Sequence, residues 1–326
     1  MKEIIIDKNA NDKRLDKFLT KLLCQSSKSF IYKMLRKKNI VLNDKKATGN
    51  EILKTGDVIK IYFSDETYDK LTTPVKKITF PDIPREFSVI YEDEDVIVIN
   101  KWANVLSQKA KDSDISINEY MLSYLYKNGK ISDESLKTFK PSVLNRLDRN
   151  TTGIIIGGCS LKGSQVLSKA LKHRTIDKYY LAIVKGRVDK NISLKSYLYK
   201  DEETNKVYVS DKPDIDKMSL YKPIETEYEV VKAGDSISLI KVHLITGKTH
   251  QIRAHLSYIG HPLVGDVKYG DSKTNGYYKE SYGVKRQMLH AYELDIPDEF
   301  EIESIKGKKF IIDMPKDMQR VSDSIN

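Results

Sequence analysis

The sequence predicts an α+β protein in two unequal parts: a small helix-rich α/β module at the N-terminus, joined to a larger mixed sheet with flanking helices. Three observations carry this expectation. The 326 residues, 40% of them hydrophobic, are enough for two cores. A polar stretch from Ser64 to Arg85, holding Thr72-Thr-Pro, Pro81 and Pro84, sustains no apolar period and divides the chain. Beyond it, short β-rich runs alternate with helically periodic ones. The expected boundaries are a module over 1–64, a linker over 65–85 and a second domain over 86–326.

In the first part, seven basic residues and one acidic residue fall between Ser26 and Lys46. Ile31, Met34 and Leu35 recur at helical spacing, so a helix here buries that stripe and leaves Lys33, Arg36 and Lys37 outside. The whole chain carries 56 Lys and Arg against 46 Asp and Glu, a formal charge of +10 that favours polyanionic partners. No run of about 18 apolar residues occurs and the first residues lack a signal-peptide core, so a cytosolic protein is expected. Two isolated cysteines, Cys24 and Cys159, supply neither a disulfide framework nor a cysteine metal cage.

In the second part, strands are expected at Phe87–Tyr91, Val96–Asn100, Gly153–Gly157, Tyr179–Val184, and the pair Glu227–Lys232 and Ile237–His243. Helices are expected at Ile117–Tyr126, Ser164–His173 and Thr249–Tyr258. Two chemical leads fail. Gly247-Lys-Thr resembles the end of a phosphate loop, but Val242 stands where that loop needs glycine. His250 and His255 lie five residues apart, about 140° around a helix, unlike a zinc-binding pair. Neither nucleotide, metal nor other cofactor is expected.

The informative blocks are Asn145-Arg-Leu-Asp-Arg-Asn-Thr-Thr-Gly before the apolar run Ile154-Ile-Ile-Gly-Gly; Lys178-Tyr-Tyr-Leu-Ala; Leu244-Ile-Thr-Gly-Lys-Thr-His-Gln-Ile-Arg-Ala-His; and Gly260-His-Pro-Leu-Val-Gly-Asp-Val-Lys-Tyr-Gly, with Leu289-His-Ala near the end. Taken alone, Asp148 between two arginines reads as a paired surface acid. Alternation along a strand puts Lys178, Tyr180 and Ala182 on one face.

In this order the blocks resemble the RluA-type pseudouridine synthases. Ahead of them Arg14-Leu-Asp-Lys-Phe-Leu, Ser-Ser-Lys-Ser, Lys-Asn-Ile-Val-Leu-Asn-Asp-Lys and Leu53-Lys-Thr-Gly-Asp resemble the alpha-L RNA-binding module of the ribosomal-RNA members. The resemblance implies a largely antiparallel catalytic sheet and isomerisation of uridine to pseudouridine in structured RNA. Asp148 is then the essential carboxylate, Tyr180 packs on the target base, and Arg253 pairs with Asp148 to keep it ionised. Arg146 is the candidate to fill the gap left by an extruded base. The expected RNA-contacting set is Arg146, Thr151, Thr152, Lys178, Lys28, Lys33, Arg36 and Lys37, with Thr151, Thr152 and Gly153 also shaping the Asp148 loop. The alpha-L module favours large-subunit (23S) ribosomal RNA or its assembly intermediate as partner; transfer RNA is the alternative substrate, and an inactive structured-RNA-binding protein the alternative of another class.

The chain departs from the common family pattern at Asn145 (His), Thr152 (Ser), Lys248 (Arg) and Lys101-Trp-Ala-Asn (Lys-Pro-Ala-Gly). In the module, Asn39 stands where glycine is frequent, and asparagine tolerates a positive φ.

Overall fold

The computed structural model describes residues 1–326 except 73–79, 205 and 214, and except the side chains of 137 and 215–217. The N-terminal part runs β1 (Lys2–Ile5), α1 (Leu15–Leu22), α2 (Lys28–Arg36), β2 (Ile40–Leu42), β3 (Lys45–Lys46), β4 (Val58–Ile61) and α3 (Asp65–Leu71). Its sheet has the order β1-β4-β2-β3. Helix α1 buries Leu15, Phe18, Leu19 and Leu22. Helix α2 starts at Ser27, whose side chain accepts from Phe30 N, and buries Ile31, Met34 and Leu35. The expected stripe is therefore the inward one, and Lys28, Lys33, Arg36 and Lys37 are exposed.

Helix α2 ends one residue earlier than the asparagine reading implied. Lys38, not Asn39, takes the left-handed conformation (φ 58°). The amide of Asn39 donates to Met34 O at 2.9 Å and that of Lys38 to Leu35 O at 3.1 Å, a closure that demands positive φ at the residue after the cap. The expected Gly-Asp turn is present: Gly56 has φ 91°, and Asp57 accepts from Lys54 N at 2.7 Å and Asn43 Nδ2 at 2.8 Å.

Part of the polar stretch read as linker is helical. Ser64 accepts from Thr67 N to start α3, and Tyr68 is buried in the N-terminal core, with Leu71 packed beside it. A single aromatic at mid-helix supplies the burial that no periodicity announced. Residues 73–79 of that stretch lie outside the described residues. Phe80 then packs on Tyr126 with ring centroids 4.6 Å apart, and Pro81 O accepts from Ser123 Oγ at 2.7 Å.

The larger part contains β5 (Ser88–Glu92), β6 (Val96–Lys101), α4 (Ile117–Lys127), α5 (Asp133–Thr138), β7 (Ser142–Val143), β8 (Thr152–Gly158), α6 (Leu161–His173), β9 (Asp177–Lys185), β10 (Ile192–Asp201), β11 (Lys206–Ser210), β12 (Tyr221–Ala233), β13 (Ile237–His243), α7 (Gln251–Tyr258), α8 (Ser272–Tyr282), β14 (Leu289–Asp295), β15 (Lys309–Ile311) and α9 (Lys316–Asp323). One 11-stranded sheet follows the order β11-β10-β12-β13-β9-β14-β8-β6-β5, with β15 on β14 and β7 on β8. Every pair is antiparallel except β14 with β8, so the sheet is mixed and largely antiparallel. The strands at its centre, such as β8, are buried along both faces and read as unbroken apolar runs rather than alternating ones.

Alternation along β9 divides two cores. Tyr180, Ala182 and Val184 enter one with Ile252, Leu256 and Leu289; Leu181 and Ile183 enter another with Val264, Met288 and Val321. Helix α7 lies on the first side. His255 on α7 is buried against β12 and β10, its Nδ1 3.0 Å from the Thr226 hydroxyl and its Nε2 3.2 Å from that of Ser196. Burial depresses its pKa from about 6.5 to about 4. His290 on β14, 2.8 Å from the Thr152 hydroxyl, is lowered to about 4 by burial and by the charge of Arg286.

These histidines set a pH dependence. The unfolded chain takes up their protons as pH falls through about 6.5, while the folded chain resists until about 4. Their contribution to stability is therefore complete above about 6.5 and lost as pH drops toward 4, by on the order of 2–3 kcal/mol each. Thermal melts at pH 7 and pH 4.5 are expected to differ, and His255→Gln to shrink that difference.

Candidate active site

Asp148 sits on the loop that leads into β8. Its backbone is held from several directions. Ser107 Oγ donates to Leu147 O at 2.8 Å and accepts from Leu147 N at 2.9 Å. Lys101 Nζ donates to Arg149 O and Trp102 O, each at 3.0 Å, and Thr151 N donates to Asp148 O at 3.0 Å. At Gly153 the backbone has φ 120°, and a Cβ there would lie 2.2 Å from Ala291 O, so only glycine lets β8 close on β14. Gly158 has the same kind of role at the far end of β8, where a Cβ would strike Ser164. At both glycines the absent Cβ makes room for neighbouring protein atoms.

Lys101 is fully buried at the end of β6. Burial lowers its pKa to about 7, against the opposing pull of Asp148's charge. The replaced turn after it is explained: Trp102 packs edge-on to Phe87 and against Tyr120, and Asn104 supplies the left-handed residue (φ 66°) where the family pattern has glycine.

The opposing element is α7. Its start is pinned by the buried Gln251, whose Oε1 accepts from the Thr246 hydroxyl at 2.8 Å and from Lys248 N at 3.0 Å, while Nε2 donates to Glu225 O at 3.0 Å. His250 precedes it in a left-handed conformation, φ 52°. Arg253, on the first turn, reaches two carboxylates. Its Nη1 donates to Asp148 Oδ2 at 2.6 Å, and its Nε and Nη2 donate to Asp266 Oδ2 and Oδ1 at 2.7 and 2.9 Å. Asp266 is fully buried and also accepts from Lys268 N at 2.9 Å and Tyr269 N at 3.1 Å. Burial opposes both charges, but Arg253 holds the Asp266 carboxyl below its usual range, and Asp266 with Asp148 keeps the guanidinium protonated.

Asp148 itself is 27% exposed. Oδ2 is committed to Arg253. Oδ1 makes no hydrogen bond among the described residues and lies 3.9 Å from His250 Nε2. Burial lowers the pKa of His250, whose Nδ1 is 2.9 Å from the Tyr269 hydroxyl. Tyr180 lies on β9 opposite Val242 and Ala291. Burial, reinforced by the charge of Asp148, pushes its hydroxyl upward, so it stays protonated.

Arg253 is thus brought onto Asp148, and Tyr180 lies within reach of the charge of Asp148. Arg146 is exposed on the same loop. Lys178 is half-buried on the strand of Tyr180, and its ammonium is lowered by burial. Two expected RNA contacts need correction. Thr151 and Thr152 are buried; the first accepts from Gln287 Nε2 at 3.2 Å, the second meets His290, so both hold the loop from inside. Asn145 is likewise structural, accepting from Ile156 N at 2.8 Å. Lys28, Lys33, Arg36 and Lys37 belong to the separate N-terminal helix. The two histidines point to different places: His250 faces Asp148, and His255 is buried against β12 and β10.

Sequence reasoning missed Asp266, His250, Ser107 and Lys101. Asp266 carried a signal, a lone acid between glycine and apolar residues within a quoted block. Lys101 carried only its place at the end of an apolar strand.

Comparison with known proteins gives the family. Residues 95–258 match the RNA pseudouridylate synthase family model, and residues 13–59 match the S4 domain. The chain belongs to the RNA pseudouridylate synthase family. It is 32% identical over 300 residues to a Mycoplasma genitalium protein named an uncharacterized RNA pseudouridine synthase, covering 90% of this chain and 89% of that one. It is 29% identical to ribosomal large subunit pseudouridine synthase C of Vibrio vulnificus, covering 88% and 85%. The fold matches human RNA pseudouridylate synthase domain containing 4, with TM-score 0.56 and 18% identity over 72% of this chain and 90% of that one. The synthase is therefore an isomerase of the RluA type, with an S4 domain ahead of the catalytic sheet.

Removing one partner of a buried ion pair leaves the other uncompensated. Asp266→Ala is expected to destabilise the synthase by about 3–5 kcal/mol, read as a lower urea midpoint. A loss below about 1 kcal/mol contradicts the pairing described above.

Proposed function

We propose that the synthase isomerises specific uridines in large-subunit ribosomal RNA, with Asp148 as the reacting carboxylate. The single observation that carries the reading is the asymmetry of Asp148: one oxygen fixed by Arg253, the other without a hydrogen bond among the described residues, at a partly exposed position.

The reaction breaks the bond from C1′ to N1 and forms one from C1′ to C5. The hydrogen on C5 passes to solvent, and N1 gains a proton. Reactant and product hold the same atoms, so a carboxylate against the ribose, a surface to hold the detached uracil and a route for the proton are sufficient. Asp148 Oδ1 supplies the carboxylate oxygen. Tyr180 supplies an aromatic face and a hydroxyl kept protonated by its burial. Arg253 orients Asp148 and holds it ionised. A uridine in a folded RNA must leave its stack to reach this site, and Arg146, exposed beside Asp148, takes part in stabilising the opened RNA.

The N-terminal module, proposed as a unit of its own, supports a structured RNA partner, its exposed α2 lysines and arginine meeting phosphates. Ribosomal large-subunit RNA is favoured by the relatives whose names state that substrate. No helix among the described residues is long and apolar enough to cross a membrane; the proposed setting is the cytosol, where that RNA is assembled.

Mapping pseudouridine in total RNA from cells lacking the synthase, complemented by wild type or by Asp148→Asn, tests the reading. Loss at large-subunit positions restored only by wild type is expected. Equal restoration by Asp148→Asn contradicts the assigned chemistry, and loss confined to transfer RNA contradicts the substrate. Separately, replacing Lys33, Arg36 and Lys37 by Ala is expected to weaken RNA binding and flatten its salt slope by about 0.7–0.9 per lost phosphate contact. Unchanged affinity contradicts the basic face.

A further inference from the structure

The turn from Gly265 to Gly270 is held more firmly than anchoring Arg253 requires. Gly265 N donates to Asn275 Oδ1 at 2.7 Å, Asn275 Nδ2 donates to Asp266 O at 2.9 Å, and Gly270 N donates to the same carbonyl at 2.9 Å. A Cβ at Gly265, where φ is 79°, would lie 2.0 Å from Arg286 O. The preceding residue, Val264, is tied to Ile183 O at 3.0 Å and to Met288 N at 2.8 Å. At the tip of this fixed turn stands Val267, 95% exposed, whereas the next most exposed large apolar side chain, Ile5, is 67% exposed.

Single exposed apolar residues are ordinary on protein surfaces and by themselves mean nothing. Two features set this one apart. Its neighbour Asp266 is joined through one guanidinium to Asp148, so the turn and the reacting carboxylate keep a fixed spacing. Its side chain is β-branched and stiff about χ1, a preorganised shape rather than a mobile one. Extruding a base leaves a gap and unstacked neighbours, and apolar wedges that enter a base step offset that cost.

We infer that Val267 is a positioning residue that enters the RNA stack beside the extruded uridine and packs on the neighbouring base. The inference rests on the reading that the uridine is extruded to Asp148. Arg253 fixes the distance between wedge and carboxylate, and the Gly265–Gly270 turn prevents the wedge from yielding when the RNA pushes on it.

The test uses the full-length synthase and tritium release from C5-tritiated uridine under single turnover. One RNA is a stem-loop spanning a site found by the mapping above; the other is the same strand without its complement, so that the uridine is already unstacked. Val267→Ala is expected to slow the stem-loop reaction about tenfold and the single-strand reaction less than about twofold, with Val267→Ile restoring the stem-loop rate. With 2-aminopurine beside the target, Val267→Ala is also expected to reduce the fluorescence change on binding. Equal slowing on both RNAs, or none on either, overturns the wedge. If wild type releases tritium from neither RNA, the extrusion reading itself fails and the wedge falls with it.

Discussion

The catalytic region depends on one guanidinium shared by two carboxylates. Arg253 gives a bidentate pair to Asp266, which is fully buried, and its remaining nitrogen to Asp148, which is not. The first contact makes the arginine rigid and holds its charge in a dry setting. The second uses that rigidity to fix a partly exposed carboxylate, the one proposed to react. Arginine suits this place because its planar fork serves two directions at once, whereas a lysine ammonium has no such fixed geometry.

The rest of the catalytic fold acts on the two ends of this bridge. On the Asp148 side, Ser107 and Lys101 grip the loop backbone, Thr151 and Thr152 hold it from within, and Gly153 allows β8 to press against β14. On the other side, Gln251 fixes the start of α7, and Asn275 fixes the turn that carries Asp266. Lys101 adds a buried amine near Asp148, its pKa lowered by burial to about 7. The N-terminal module has a core of its own and touches the catalytic part through polar contacts: Asn9 accepts from Leu161 N at 2.8 Å, Lys8 pairs with Glu94, and Lys21 donates to Thr138 O.

Much of this was legible in the residues. Helix α2, its buried stripe and its basic face follow from the spacing of Ile31, Met34 and Leu35, and β9 places Tyr180 inward by simple alternation. The order of the four blocks pointed to Asp148, Tyr180 and Arg253; in the structure Arg253 bonds Asp148, and the charge of Asp148 acts on Tyr180. What was not legible depends on long-range closure. The pairing of β1 with β4 joins residues more than fifty positions apart, which no local pattern encodes. Asp266 is one acid among 46 until α7 folds back on it. Thr151 and Thr152 stand close to a partly exposed aspartate in sequence, yet the turn into β8 rotates both inward, so proximity in the chain misjudged their access to RNA.

Asp266 orients Arg253 and through it Asp148. Asp266→Asn keeps the side chain's shape while removing its charge, so the most direct measurement is its single-turnover rate of pseudouridine formation at saturating RNA, beside its Kd for the same RNA. The chemical step is expected to be slower by about a hundredfold or more with Kd unchanged. A wild-type rate in the folded variant would contradict it.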